Sequence, residues 1–370
     1  MPTESKPSVF TTAALTAGGL LMSAFSRGGS AARRGAGPST PSGPGARREN
    51  RRDAAAPDAG ERGRHAESPS EIPARGWWDI LKRTVSQVSD DRVLTEAAGV
   101  TFYSLLALFP AIGAMVSIYG LFAEPATISE HLDVVGTVVP SGGMEIIGEQ
   151  VKRIASKGGA ALGFGAIFGL LTALWSANQA VKAIVDALNV VYGEREKRSF
   201  IYRTALTLSF TVAGIAFILL AMGAVVVLPI ALNFVGLGDT AETLISLARW
   251  PVMLAVVALF LACLYRFGPD RDKPRWRWVS WGSAVAAVGW AAVSAGFSYY
   301  VTNFGNYNET YGSLGAVVGF MTWIWISSTV VLVGAELDAE MEHQTARDTT
   351  EGPERPLGAR GAKVADEVAG

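Results

Sequence analysis

The sequence predicts an all-α, polytopic membrane protein: a bundle of six transmembrane helices with an amphipathic interfacial helix before the first. Residues 312–335 contain no ionisable side chain, and about 20 apolar residues are enough to cross the hydrocarbon core of a bilayer. Five further long apolar segments precede this one, and charged connections separate several of them. Charged residues make up 18% of the chain, below the roughly 25% of soluble domains.

The six predicted spans form a membrane domain over residues 76–342. Their approximate boundaries are 97–122, 160–181, 205–232, 244–265, 279–301 and 312–335. Pro110 lies inside the first span and Pro229 near the end of the third. Because proline removes a helical hydrogen bond, we expect neighbouring helices to re-satisfy the freed carbonyl groups.

Both ends of the chain, residues 1–75 and 343–370, are predicted to be disordered. Residues 27–75 are rich in Gly, Pro, Ser, Ala and Arg and almost lack aliphatic side chains, so they cannot bury enough apolar surface to offset chain entropy. The apolar residues 9–25 leave three readings open: a cleaved signal peptide, a flexible tail, or a misassigned start.

An amphipathic helix is predicted immediately before the first span. Trp77, Leu81, Val85 and Val88 recur at helical spacing, and charged residues occupy the other faces. Such a helix lies on a membrane surface with its tryptophans at headgroup level. The alternative is a soluble helix packed on its neighbours; the adjacent membrane segment favours the interface.

The orientation follows from the lysines and arginines of the connections. These residues concentrate after the second span, in residues 195–203, and after the fourth, in residues 266–277. Cytoplasmic loops carry the excess of Lys and Arg. Six spans with both termini in the cytoplasm fit this distribution best.

A polar stripe follows the second span. Asn178, Lys182, Asp186 and Asn189 fall at steps of four, four and three, so they share one helix face. Ionisable groups at membrane depth face a cavity or a partner. In the competing reading, Lys182 extends to the headgroups and Asp186 is already in water.

Glu336 stands at the end of the last span. The helix dipole disfavours a negative charge there by a few tenths to about 1 kcal/mol. Spans two and six run in the same direction, so Lys182 and Glu336 should reach the same depth. We therefore hypothesise that they pair or share a polar vestibule, with a solvated helix end as the simpler rival. Asn178, Lys182, Asp186 and Glu336 are the candidate polar path.

Two aromatic clusters flank the fifth span. Trp276, Trp278 and Trp281 lie among arginines, which predicts anchoring to anionic lipid. Residues 298–311 concentrate tyrosines and asparagines, which indicates an aromatic belt or, alternatively, an outer binding site.

Regularly spaced glycines predict where helices pack closely on each other. They are the pairs Gly165 and Gly169, and Gly315 and Gly319, and the seven-residue repeat Gly282, Gly289 and Gly296.

Nothing in the sequence indicates catalysis or a cofactor. There is one cysteine and there are three widely separated histidines, so neither a disulfide within the chain nor a cysteine metal site is available. No P-loop, GxSxG or HExxH motif is present. The net charge of −1 gives no support for a nucleic-acid partner. The expected partners are membrane lipids, and a homo-oligomer stays open.

Three stretches resemble the YihY/virulence factor BrkB family: LTEAAGVTFYSLLALFPAI, LLTALWSANQAVKAIVDALNVVY, and the segment from YYVTNFGNYNETYG to GAELDAE. The resemblance covers about residues 77–342 and implies a bacterial inner-membrane protein of six helices. Some members have been proposed to move lipids or small molecules, and an older ribonuclease BN label is regarded as a misassignment. The family-motif positions in this chain are Tyr103, Ser104, Pro110, Trp175, Tyr311, Gly312, Gly334 and Glu336.

Three functions follow as hypotheses. The first is a transporter or flippase-like protein for a lipid, amphiphile or organic solute, with the polar residues of the second span and Glu336 at its inner vestibule. The second is a non-transporting envelope protein that binds lipid or a partner. The third, a membrane-bound hydrolase, rests only on the old ribonuclease label.

Overall fold

The computed structural model describes residues 62–122, 159–222, 239–304 and 315–369. Most of the N-terminal extension, the long loop after the first span, Pro229, and the motif residues Tyr311 and Gly312 lie outside the described residues.

The described residues fold into helices and short connections. A single turn of 3-10 helix, Pro69–Glu71, precedes them. In chain order the helices are α1 (Ala74–Asp90), α2 (Val93–Phe122), α3 (Gly159–Val191), α4 (Phe200–Met222), α5 (Asp239–Phe267), α6 (Trp276–Phe304), α7 (Gly315–Gln344) and α8 (Lys363–Asp366). Within these ranges the extended structure is one isolated antiparallel bridge between Pro274 and Thr350. The predicted all-α class is confirmed.

Four of the described helices are long and apolar enough to cross a membrane. The segments are Phe200–Leu220 in α4, Leu247–Phe267 in α5, Trp276–Val301 in α6 and Val317–Gln344 in α7. They overlap the third to sixth predicted spans, the third of which continues beyond the described residues. The first and second predicted spans fall within α2 and α3. Helix α2 begins earlier, at Val93, and α3 ends later, at Val191.

Helices α3 and α7 end later than the sequence predicts. Helix α3 continues to Val191 and α7 to Gln344, whereas the predicted spans stop at residues 181 and 335. The prediction stopped where ionisable side chains begin, because lipid excludes charge. In the fold these turns are enclosed by protein, with Leu188 and Met341 fully buried.

Two apolar clusters hold one end of the bundle together. The larger joins the start of α2 to α3, α5, α6 and α7 and includes Leu188, Tyr265 and Leu332. The smaller packs α1 on α6 and α7 through Ile80, Trp278 and other buried side chains. Helix α1 therefore has one buried face, while Trp78, Leu81 and Val85 on its opposite face are exposed.

The C-terminal residues pack on this same end, although the sequence predicts disorder from residue 343. Backbone hydrogen bonds join them to the α5–α6 connection: Arg275 N–H donates to the Thr349 carbonyl at 2.9 Å, and Asp272 N–H donates to the Gly361 carbonyl at 3.0 Å. The backbone N–H of Lys363 donates to Glu194 Oε1 at 2.7 Å. The tail thus packs on the basic α3–α4 and α5–α6 connections.

Candidate functional site

The last turns of α7 carry four buried acidic residues at alternate positions. Glu336, Asp338, Glu340 and Glu342 are 1%, 0%, 3% and 0% exposed. Residues four apart lie on one helix face, so Glu336 and Glu340 face α1, whereas Asp338 and Glu342 face α5 and α6. We call these four residues the acidic end of α7.

Arginines compensate one acid on each face. Arg83 of α1 donates from Nε to Glu340 Oε2 at 2.5 Å and from Nη2 to Gln344 Oε1 at 2.7 Å. Arg271, from the α5–α6 connection, makes a two-pronged contact with Glu342 at 2.9 and 3.1 Å. Both side chains of this second pair are fully buried. The paired geometry is the strongest that arginine makes with a carboxylate.

The other two acids have no arginine partner among the described ion pairs. Asp338 Oδ1 accepts the Gly282 N–H at 2.7 Å, while its Oδ2 has no hydrogen-bond partner in the described part of the chain. Glu336 lies within hydrogen-bonding reach of the Asp91 carboxyl group at the α1–α2 turn. Its Oε1 likewise lacks a partner within the described ranges.

Close approach of α6 to α7 depends on Gly282 and Gly334. A side-chain carbon at Gly334 would lie 2.5 Å from the Ala286 Cβ and 2.9 Å from the Tyr265 hydroxyl oxygen. Tyr265 donates that hydroxyl to the Val331 carbonyl at 2.6 Å. The absence of a side chain at the family-motif residue Gly334 therefore lets the acidic end of α7 pack closely on α6.

The polar stripe of α3 faces α4 and the neighbouring connections, and we call this contact the α3–α4 seam. Thr211 donates to Asn178 Oδ1 at 3.4 Å, and Arg203 donates to Asp186 Oδ1 at 2.5 Å. Asn189 accepts the Asp270 N–H at 2.8 Å and donates to Glu196 at 3.2 Å. These three stripe residues each have a polar partner outside α3.

Lys182 is the exception in the stripe. Its ammonium group lies 5.6 Å from the centre of the Phe200 ring, and no described carboxylate lies within ion-pair distance of it. The structure does not join it to Glu336, whose neighbour is Asp91. The hypothesised pair is therefore replaced by two separate sites, a lysine at the seam and a carboxyl pair beside α1.

The α3–α4 connection is electrostatically compensated. The hydrogen bond from Arg198 lowers the pKa of Glu196 below its usual value, against the opposing effect of burial. Arg198 also donates to the Gly268 carbonyl at 2.8 Å. Arg198 therefore joins this connection to the end of α5, with hydrogen bonds to both Glu196 and the Gly268 carbonyl.

The remaining family-motif positions lie away from both polar regions. Tyr103 and Trp175 are exposed, and Ser104 and Pro110 are partly buried. A small cavity of about 120 Å³ separates α2, α3, α6 and α7. Its lining includes Ile184, Ser327, Ser328 and Leu332, and Leu332 stands one helical turn before Glu336.

The sequence does not indicate the partners of the acidic end of α7. The alternation of acids from 336 to 342 is visible in the sequence, but the partners Arg83, Asp91 and Arg271 come from distant segments that look like ordinary surface charges. Within the described ranges, no group of three or more His, Cys, Asp or Glu side chains could hold a metal ion.

Comparison with known proteins places this architecture in a family. Residues 84–358 match the family described as virulence factor BrkB. The ribonuclease-like protein YfkH of Bacillus subtilis (strain 168) is 30% identical over 270 residues, covering 70% of this chain and 94% of that protein.

Relatives named UPF0761 membrane protein occur in Nitrosospira multiformis, 26% identical over 74% of this chain and 62% of that protein, and in Vibrio atlanticus, 26% identical over 73% and 85%. No solved structure matches the chain. The resemblance found in the sequence is confirmed: this chain is an integral membrane protein of the virulence factor BrkB family.

Proposed function

We propose that the protein is a transporter or flippase-like protein that moves an anionic amphiphile, a lipid or an organic solute, across the bacterial inner membrane. The observation that carries the proposal is Lys182, a cation in a polar seam whose other members have polar partners. Its ammonium group contacts only an aromatic ring among the described interactions. An anionic headgroup would supply the missing partner.

The surroundings of Lys182 suit an amphiphile. Phe200, Ile201 and Tyr202, at the start of α4, are 77%, 80% and 59% exposed. In a bilayer these side chains would meet lipid, so the lysine can be reached sideways from the membrane. A long apolar tail would then lie along α4 while the headgroup contacts Lys182.

The proposed topology has six crossings. Helices α2 and α3 contain 30 and 33 residues, more than the roughly 20 required to span a bilayer, and we count them as the first and second spans. The basic connections before α4 and before α6 lie at the end covered by the tail. By the positive-inside rule, this end and both termini face the cytoplasm.

Helix α1 is proposed to lie in the cytoplasmic interface. Its exposed face carries Trp78, Leu81 and Val85, and the Lys82 ammonium lies 5.2 Å from the centre of the Trp78 ring. An apolar stripe beside a cation is the pattern of a helix that binds anionic lipid. This surface also favours the second candidate function, a lipid-binding envelope scaffold that transports nothing.

Reconstitution in liposomes separates the two functions. The movement of a fluorescent anionic phospholipid from the inner to the outer leaflet is followed by quenching, with a zwitterionic analogue measured alongside. We expect Lys182→Met to slow the anionic lipid about tenfold or more, the loss of one charge-assisted contact. Lys182→Arg should retain most of the rate.

Lys82→Met is the matched control, because it removes an exposed lysine that also lies over an aromatic ring but outside the seam. The protein is tested with a panel of lipids and organic anions. If all rates equal those of empty liposomes, the result would favour the second candidate function, the lipid-binding scaffold. We also propose that the protein is not an enzyme; purified protein that cleaves RNA above background would contradict this.

A further inference from the structure

The carboxyl groups of Asp91 and Glu336 form a contact between the α1–α2 turn and α7. Asp91 follows the last residue of α1, and its backbone N–H donates to the Gln87 carbonyl at 2.8 Å. The next residue, Arg92, has a φ of 53°, in the left-handed region, and α2 begins at Val93. This tight turn directs Asp91 against the buried side chain of Glu336.

Two carboxyl groups in such a contact need a proton between them. Each ionised carboxylate can only accept hydrogen bonds. Two negatively charged carboxylates in direct contact repel each other. One oxygen of Glu336 has no hydrogen-bond partner in the described residues, and its side chain is 1% exposed. Water therefore does not solvate a second charge.

The charged groups around the pair do not replace that proton. Asp90 and Glu340 add negative charge near Asp91, and Lys363 of the tail adds one positive charge. Arg83 of α1 and His343 of α7 both contact Glu340, at 2.5 and 3.5 Å. No described cation is paired with Glu336 itself.

We propose that Asp91 and Glu336 together form a proton-binding site that fastens the α1–α2 turn to α7 and releases it when the proton leaves. The ligand is a single proton, shared by one carboxyl group from each element. Its loss leaves two adjacent carboxylates, and their repulsion moves the turn away from α7. Water then reaches Glu336, one helical turn from the cavity lined by Leu332. The site does not depend on whether the protein transports a substrate.

The direction of the pH dependence follows from Asp91. Burial raises the pKa of Asp91, and the charge of Asp90 adds to this, while the hydrogen bond with Glu336 and the charge of Lys363 act against it. A carboxyl group with a raised pKa in the folded state contributes stability that is present below its unfolded pKa. That contribution is lost as the pH rises through the folded pKa.

The experiment measures thermal unfolding of the purified full-length protein in nanodiscs across a pH series, together with infrared spectra of protonated carboxylic acids. We expect wild-type protein to lose both stability and a carboxylic-acid band as the pH rises. In Asp91→Asn, the introduced amide donates to Glu336 without a proton, so this pH-dependent loss disappears. Asp90→Asn, which removes a neighbouring charge that raises the pKa of Asp91, should keep the loss but move it to lower pH.

Lys363→Met gives a second test that leaves both carboxyl groups in place and applies even if the Asp91 variant folds poorly. Removing this cation should shift both transitions to higher pH. Equal pH dependence in Asp91→Asn and Asp90→Asn, or an unchanged transition in Lys363→Met, would overturn the proposal. A transition that moves with sodium concentration at constant pH would also overturn it, in favour of a bound metal cation.

Discussion

The α3–α4 seam and the acidic end of α7 are both rows of polar side chains on membrane helices. The two rows differ in the partners that their polar groups contact. In the seam, Asn178 and Asp186 find partners on α4, and the helices are joined by a hydrogen bond and a partly exposed ion pair. At the acidic end of α7, arginines compensate Glu340 and Glu342. Glu336 and Asp338 remain with no cation among the described ion pairs.

This difference reverses the response to pH. Glu196, at the end of the seam, has a lowered pKa because Arg198 hydrogen-bonds to it. Its contribution to stability is present above its unfolded pKa and is lost as the pH falls through the folded pKa. The contribution of Asp91 is instead lost as the pH rises. For Glu196 the hydrogen bond from Arg198 outweighs burial, whereas for Asp91 burial and the charge of Asp90 outweigh the contacts that lower its pKa.

The largest effect is expected from breaking the buried pair of Arg271 and Glu342. Both side chains are fully buried, so Arg271→Met leaves an uncompensated charge, which costs about 3–5 kcal/mol of unfolding free energy. Unfolding in mixed micelles of increasing denaturing detergent measures this. The double variant Arg271→Met, Glu342→Gln should recover a large part of the loss.

Arg347→Met is the control for this test, because its contacts with Glu67 and Glu354 at 4.0 and 3.7 Å join exposed side chains. Such exposed pairs contribute about 0–1 kcal/mol. Similar losses in Arg271→Met and Arg347→Met would show that the acidic end of α7 is solvated like a surface.

An intermediate effect is expected from Gly334→Ala, which tests whether α6 and α7 must stay close for the acids to be enclosed. The new methyl group would lie 2.5 Å from the Ala286 Cβ, and overpacking of this kind costs about 1–3 kcal/mol. Gly319→Ala on the same helix meets nothing within 4 Å, so the same unfolding assay should find it neutral or stabilising. A neutral Gly334→Ala would mean that the two helices separate freely.

The sequence was sufficient for the helices because their signal is local. Apolar runs located the four helices, α4 to α7, that are long and apolar enough to cross a membrane, and the family resemblance is confirmed. The packing of Gly282 and Gly289 against α7 agrees with the predicted small-residue seam, whereas Gly296 and Gly319 face open space. A spacing rule alone cannot separate these cases, because contact depends on how far the two helices diverge along their length.

The candidate site could be predicted only in part. The four-residue steps of the stripe place Asn178, Lys182 and Asp186 on one face, but they do not say which helix that face meets. Equal depth in the membrane predicts Lys182 as the partner of Glu336, whereas the structure places Asp91 there. The sequence does not predict Asp91 as a partner of Glu336, because two carboxyl groups are expected to lie side by side only when they share a proton.

The smallest effect is expected at the seam, from Arg203→Met. Its partner Asp186 is 52% exposed, so water replaces the lost contact and the cost is about 0.2–1 kcal/mol, decreasing further as salt screens the pair. Arg198→Met should cost more, because Arg198 is more buried and serves both Glu196 and the Gly268 carbonyl. Unfolding measured at low and high salt ranks the two variants. If Arg203→Met were as destabilising as Arg271→Met, the seam would be a desolvated charge pair, and the contrast with the acidic end of α7 would fail.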